Sequence, residues 1–236
     1  MNIQIKNDLT LWPFSLYVAA TESQFQLSPD TRAGFLESEE YDGEYYSHTN
    51  LANGDMLLRC YSPDVITEQA LIALKSTIAQ SIVALKEQSY LTLESNPERR
   101  KPCRLVGKVD YVEKANYFIV GIPLKVAPYW EAVTEKSLTA SGQAANAGNV
   151  NSPFIVEITG AINNPEVVIN GETLKYNGLL GALDTVVIDT DKQTVVLNGV
   201  ISVRKNFEGT YPSLNPGNNA VTLPANTLLR WRDQWL

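Results

Sequence analysis

His48, Cys60 and Cys103 are the only imidazole and thiol side chains in this 236-residue chain. A Ser-His-Asp triad or a Cys-His pair would have to use His48, and no Gly-x-Ser-x-Gly elbow or papain-like cysteine context accompanies it. His48 therefore reads as structural. One histidine and two distant cysteines do not assemble a four-ligand zinc site. The cysteines lack metal-type spacing and read as reduced and buried. Glu39, Glu40, Asp42 and Glu44 could supply the paired carboxylates of a glycosidase, but their crowding reads as a solvated loop. A general acid needs partial burial to raise its pKa, and an exposed acidic run provides none. Asp189 and Asp191 are spaced like calcium ligands, yet the third oxygen, central glycine and distal glutamate of an EF-hand loop are missing, so a hairpin turn with Asx hydrogen bonding is expected. Gly178-Leu179-Leu180-Gly181 has neither the spacing nor the lysine of a P-loop. Trp130, Trp231 and Trp235 could stack on sugar rings, although tryptophans of a β-sandwich more often fill cores or interfaces. No catalytic, cofactor-binding or metal-ligating residue is assigned, and interface residues stay unassigned.

The elements around these residues follow from composition and pattern. An apolar fraction of 44% with 19% charged residues is a globular balance, and 236 residues suit two cores of short-stranded β structure better than one. The net charge of −7 argues against a grip on nucleic acid. The one dense basic run, Glu98-Arg99-Arg100-Lys101, falls between two expected strands and reads as a solvated loop. No apolar run approaches the ~20 residues of a membrane span, and Met1-Asn2-Ile3-Gln4-Ile5-Lys6 lacks the core of a secretory signal. A chain made in a cytosol and soluble there is expected.

Residues 1–61 read as irregular strands between polar turns. Leu9 to Val18 is interrupted by Pro13, which confines it to an edge or a bend. Ser38 to Tyr46 reads as an acidic, tyrosine-rich loop and Met56 to Tyr61 as a strand. One helix is expected from about Glu68 to Glu87, N-capped by Thr67, with Leu71, Leu74, Ile78, Ile82 and Leu85 forming a narrow apolar stripe. Tyr90–Leu93, Cys103–Val109 and Tyr117–Ile122 read as strands after it. Small polar residues from Glu131 to Ser152 suggest a linker, with a domain boundary at about residue 130.

The run from Asn146 to Asn219 is the most patterned stretch. Asn146-Ala147-Gly148-Asn149 is followed by Pro153 to Ile158, then Asn164-Pro165-Glu166-Val167-Val168-Ile169-Asn170-Gly171. Val186-Val187-Ile188-Asp189-Thr190, Thr194 to Gly199, and Leu214-Asn215-Pro216-Gly217-Asn218-Asn219 complete it. Each apolar, β-branched block closes on a turn signal, which spells an antiparallel sandwich built from hairpins. Asn170-Gly171 suits a type I′ turn, and Asp189 to Gln193 a longer loop. Leu228 to Leu236 reads as a last strand with Leu229, Trp231, Asp233 and Trp235 on one face, where Asp233 breaks the apolar pattern.

This succession of blocks resembles the C-terminal domain of the distal tail proteins of long-tailed, non-contractile (siphovirus-type) bacteriophages. The helix, the strands after it and the closing Ala127-Pro128-Tyr129-Trp130 are similar to their N-terminal domain, and Thr134 to Thr139 looks like the first strand of the sandwich. The resemblance implies a mainly β chain: an N-terminal β-sandwich or barrel-like ring domain with one α-helix (1–130) and a C-terminal galectin-like antiparallel β-sandwich (131–236). It also implies a structural virion protein of the tail tip, not an enzyme, made in the bacterial host cytoplasm and needing no cofactor. Its partners would be copies of itself in a hexameric ring, the tail-tube protein and the tail-tip or baseplate proteins. The ring would join the tube to the host-recognition apparatus. DNA would only transit the lumen, where six copies at −7 each would keep it from sticking, and no membrane insertion is expected. The alternative is a carbohydrate-binding receptor-recognition module of a phage tail.

Overall fold

The computed structural model describes residues 3–7, 10–11, 17–18, 30–37, 44–61, 69, 72–73, 75–76, 79–80, 89–93, 96–113 and 118–236. The chain divides into two compact units, Met1–Trp130 and Glu131–Leu236.

The first unit holds β1 (Ile3–Asn7), β2 (Thr10–Leu11), β3 (Tyr17–Val18), β4 (Asp30–Glu37), β5 (Glu44–Ala52), β6 (Gly54–Tyr61), β7 (Ser89–Leu93), β8 (Asn96–Leu105), β9 (Asp110–Glu113) and β10 (Phe118–Val126). Its main sheet runs β2-β1-β7-β8-β10-β6-β3, with β9 also on β10, while β4 and β5 form a separate hairpin. Both pieces flanking Pro13 are thus edge strands, at opposite ends of one sheet. That placement dictates its shape. Seven strands laid flat put the two edges about 29 Å apart, whereas Leu11 to Tyr17 reaches at most about 22 Å. The sheet must therefore curl. Val120, Ile122, Leu124 and Val126 of β10 and Met56, Leu58 and Cys60 of β6 are buried with the alternation of one covered face.

Several sequence expectations change in this unit. Residues 30–37 and 44–52 are a regular hairpin with a register shift at Gly34/Phe35, so Glu44, Tyr45 and Tyr46 lie in a strand, not in the expected loop. β10 runs on through Pro123, past the expected end at Ile122. The proline is tolerated because the neighbour on one side changes there, from β9 at residues 118–121 to β8 at residues 124–126. The Glu98-Arg99-Arg100-Lys101 run is strand, not solvated loop. It belongs to β8, whose register against β7 jumps from Thr92↔Arg100 to Leu93↔Asn96, leaving Pro97 in the irregularity. Of the expected helix, Gln69, Ile72, Ala73, Lys75, Ser76, Ala79 and Gln80 are helical and, apart from half-buried Lys75, exposed. The stripe positions 71, 74, 78, 82 and 85 lie outside the described residues, as do residues 38–43.

β11 (Trp130–Ala132) runs across the boundary. The second unit then holds β12 (Lys136–Leu138), β13 (Gly142–Asn146), β14 (Phe154–Thr159), β15 (Ile162–Asn163), β16 (Glu166–Ile169), β17 (Glu172–Tyr176), β18 (Leu179–Leu180), β19 (Thr185–Asp189), β20 (Thr194–Leu197), β21 (Ile201–Ser202), β22 (Phe207–Gly209), β23 (Gly217–Thr222), β24 (Thr227–Trp231) and β25 (Gln234–Trp235). One sheet runs β12-β24-β14-β19-β20-β21, the other β13-β23-β16-β17-β22. Phe154, Val156, Ile158, Val186, Ile188, Val195, Leu229 and Trp231 from the first meet Ala144, Val167, Ile169, Leu174, Tyr176 and Val221 from the second in one core. This is a two-layer antiparallel sandwich. The chain is mainly β, as the sequence pattern implies. The stretch expected as linker is structured, since β13 pairs along its length with β23. The last strand is broken at Arg232–Asp233, yet the alternation survives: Leu229, Trp231 and Asp233 are all buried. Asp233 is accommodated because Lys136 Nζ lies 2.6 Å from its Oδ2.

Candidate functional site

The residues with chemical potential are dispersed. Cys60 pairs across to Val120 and Cys103 to Val126, on strands flanking β10 from opposite sides. Two strand spacings and a six-residue offset put these thiols far beyond disulfide reach. Both are free and buried, and burial pushes each thiol up to about 12. An inert, protonated thiol is a packing group. His48 sits in β5 opposite Gly34, beside the register shift.

Asp189 is consumed by its own turn. Its Oδ1 accepts the amides of Asp191 and Lys192, both at 3.0 Å, and Lys192 Nζ lies 3.1 Å from Oδ2. Gly178 N donates to Asn164 Oδ1 and Gly181 N to Asp184 Oδ2, so neither glycine amide of that loop is offered to a phosphate. Among the described residues no group of three or more His, Cys, Asp or Glu is placed to hold a metal ion, and no helix is long and apolar enough to cross a membrane. Trp231 is a core residue, and Trp130 and Trp235 are half-buried.

What the motif residues build is a clamp. Asn219 is fully buried. Its Nδ2 donates to the carbonyls of Ala144, Asn215 and Gly217, and its Oδ1 accepts from Asn170 Nδ2 at 2.7 Å and Asn215 N at 2.8 Å. Asn170 Oδ1 in turn accepts Ala220 N. Asn146 joins the strand ends, with Nδ2 donating to the carbonyls of Val150 and Leu214 and Oδ1 accepting Gly148 N. Asn170 and Gly171 have φ of 50° and 89°, the positive values a type I′ turn needs. The Asn-rich blocks are therefore architectural: side-chain amides satisfy turn backbone that two packed sheets would otherwise strand. At Gly148 an added Cβ would lie 1.9 Å from Gln234 O.

Two charged features escaped the sequence reading. Lys101 is buried, its ammonium 5.6 Å from the centre of the Trp130 ring, and burial lowers its pKa. Arg100, one residue earlier, stacks 3.6 Å over Tyr90. The alternation of Lys101 with Cys103 on one face was the available signal.

Asn170, Asn219 and most of the sandwich core fall in the part of the chain that matches a family model, while β12, β13 and Asn146 precede it. Residues 147–235 match the siphovirus-type tail component, C-terminal domain. That match covers most of the second unit. The resemblance to distal tail proteins stands on this match and on the fold of solved structures. The chain superposes on the SPP1 Dit protein, described as a paradigm of the hub adsorption apparatus in phages infecting Gram-positive bacteria, with TM-score 0.71 and 13% identity over 100% of both chains. A chain of the phage P2 baseplate in its activated conformation with Ca matches with TM-score 0.53 and 10% identity, over 99% of this chain and 98% of that one. The same baseplate with Sr gives TM-score 0.51 and 8% identity over 98% of each. No curated protein matches the chain in sequence.

Proposed function

We propose that the chain is a structural distal tail protein of a siphovirus-type phage, a hub of the tail tip or baseplate, and not an enzyme. It forms a closed ring, most simply of six subunits, that joins the tail tube to the host-recognition proteins. Residues 1–130 act as a ring-forming domain around a channel through which DNA passes. The galectin-like sandwich of residues 131–236 stands at the periphery. Its place is the virion, after synthesis in the host cytoplasm. The observation that carries this reading is the likeness of the whole chain, end to end, to the SPP1 Dit fold. Closure of one repeated heterologous contact satisfies every interface, which suits a tube adaptor.

A native mass spectrum of the purified chain, alone and mixed with its own tail-tube and tail-tip proteins, tests the proposal. A six-fold mass or incorporation into tubes is expected. A monomer that also fails to join its tail partners would sink it, and direct glycan binding would then favour the sugar-recognition alternative. The burial of Trp231 already weakens that alternative, because a stacking platform needs an exposed ring.

A further inference from the structure

Two exposed edges of this molecule carry opposite chemistry. β21 ends the six-stranded sheet, and Val200 and Ile201 there are 86% and 56% exposed. Leu183, 96% exposed, is tied to the same end of the sandwich. Asp184 Oδ1 accepts Asn198 Nδ2 and Asn198 Oδ1 accepts Thr185 N, each at 2.9 Å, so the turn after Leu183 is tied to the turn before Val200. The exposed cations Arg204 and Lys205 follow Ile201, and no carboxylate of a described residue pairs with either. β9 is the counterpart. Asp110-Tyr111-Val112-Glu113 pairs only with β10 among the described strands, and all four residues are exposed. Lys75 pairs with Glu113, which leaves Asp110 as the unpaired carboxylate.

An open strand edge is a liability that proteins guard with charge. Asp110 and Glu113 would repel a second β9, and Arg204 and Lys205 a second β21. Each edge is complementary to the other and not to itself. We infer that β9 of one molecule seats against the apolar, cationic edge at β21 of a second copy, with Val112 against Val200 and Ile201 and Asp110 facing Arg204 and Lys205. The contact is between molecules and heterologous, so it repeats round a ring as a peripheral addition to the contacts of residues 1–130. It deepens the ring reading and rests on it. Two short edges bury far less than the ~1,600 Å² of a standard interface, so the contact is weak alone and gains its strength from closure.

The test is sedimentation velocity of the full chain up to about 300 µM, with native mass spectrometry of the same samples. Arg204→Glu with Lys205→Glu, and separately Asp110→Arg, should each weaken association about tenfold or more, and all three together should restore it to within about threefold. Melting curves confirm that these exposed variants fold. Association unchanged in both variants, no recovery in the combination, or a wild-type monomer throughout would overturn the inference. Flotation with phosphatidylglycerol vesicles provides a further arm: binding lost in Leu183→Ser/Val200→Ser would assign the tips to a bilayer and overturn the contact, whereas no binding supports it. A six-fold mass insensitive to the charge exchange ends this inference and leaves the ring reading intact. A charge-sensitive association that never closes into a ring leaves the contact standing and defeats the ring.

Discussion

Asn219 in the second unit and Lys101 in the first are both buried polar side chains, and they are solved in opposite ways. Asn219 is fully buried and every polar atom of its amide has a partner. Lys101 lies in a layer with Leu91 and Cys103 and faces an aromatic ring. An amide whose bonds are all made is cheap to bury and fixes the chain segments it joins. An ammonium beside a ring recovers only part of its hydration. Burial of Asn219 therefore specifies structure, whereas burial of Lys101 costs hydration that its surroundings repay only in part.

The sharpest way to break this contrast is to orphan a charge in the second unit. Lys136→Met leaves Asp233 buried and alone, and should cost about 3–5 kcal/mol in denaturant unfolding; replacing Asp233 by Leu as well should recover most of it. An unchanged midpoint for Lys136→Met would mean that Lys136 does not compensate the buried Asp233 charge. Asn219→Ala comes next, with an expected loss of about 2–3 kcal/mol, because Asn170 Nδ2 and Asn215 N lose their acceptor. A loss below about 0.5 kcal/mol would remove the clamp from the account.

Smaller effects sharpen the other side. Burial raises the Cys60 and Cys103 thiols from their ordinary 9.0 to about 12. Unfolded thiols ionise first, so the stabilisation is complete below pH 9 and is lost as pH climbs from 9 towards 12. Hydrogen exchange of β6, β8 and β10 should weaken over that window, and less so in Cys60→Ala/Cys103→Ala. The smallest change is expected for Lys101→Met, neutral or stabilising by about 1 kcal/mol at pH 7. Its advantage should shrink as pH rises towards 10.5, where the lysine charge disappears from the unfolded chain too. A large destabilisation would show that Lys101 has a structural task. Limited proteolysis tests the proposed division into separate domains: cleavage within the exposed 133–135 segment should release two resistant pieces.

Legibility follows the same contrast. Asn170-Gly171 and the Asp189 loop were readable because each turn is fixed by its own residues, with strands at Val167 and Thr194 where the apolar runs begin. The clamp's residue types were readable and its connectivity was not, since Asn219 meets Ala144 and Asn170 only after β13, β23 and β16 pair into one sheet. In the first unit, Glu98 to Lys101 hid a strand behind charge, and Pro123 hid the continuation of β10 behind a rule that holds only where both neighbours are continuous. The pairing of buried Asp233 with part-exposed Lys136 is likewise non-local: nothing near Asp233 in sequence announces its partner.

The short run from Leu11 to Tyr17 acts as a drawstring. Because it joins the two margins of one sheet, its contour length sets an upper limit on how far that sheet can open, whatever the side chains along it. Adding residues there would raise that limit without touching a single ladder, whereas removing two would lower it to about 14 Å. Loops are ordinarily where length is most freely varied; here length is a dimension of the fold.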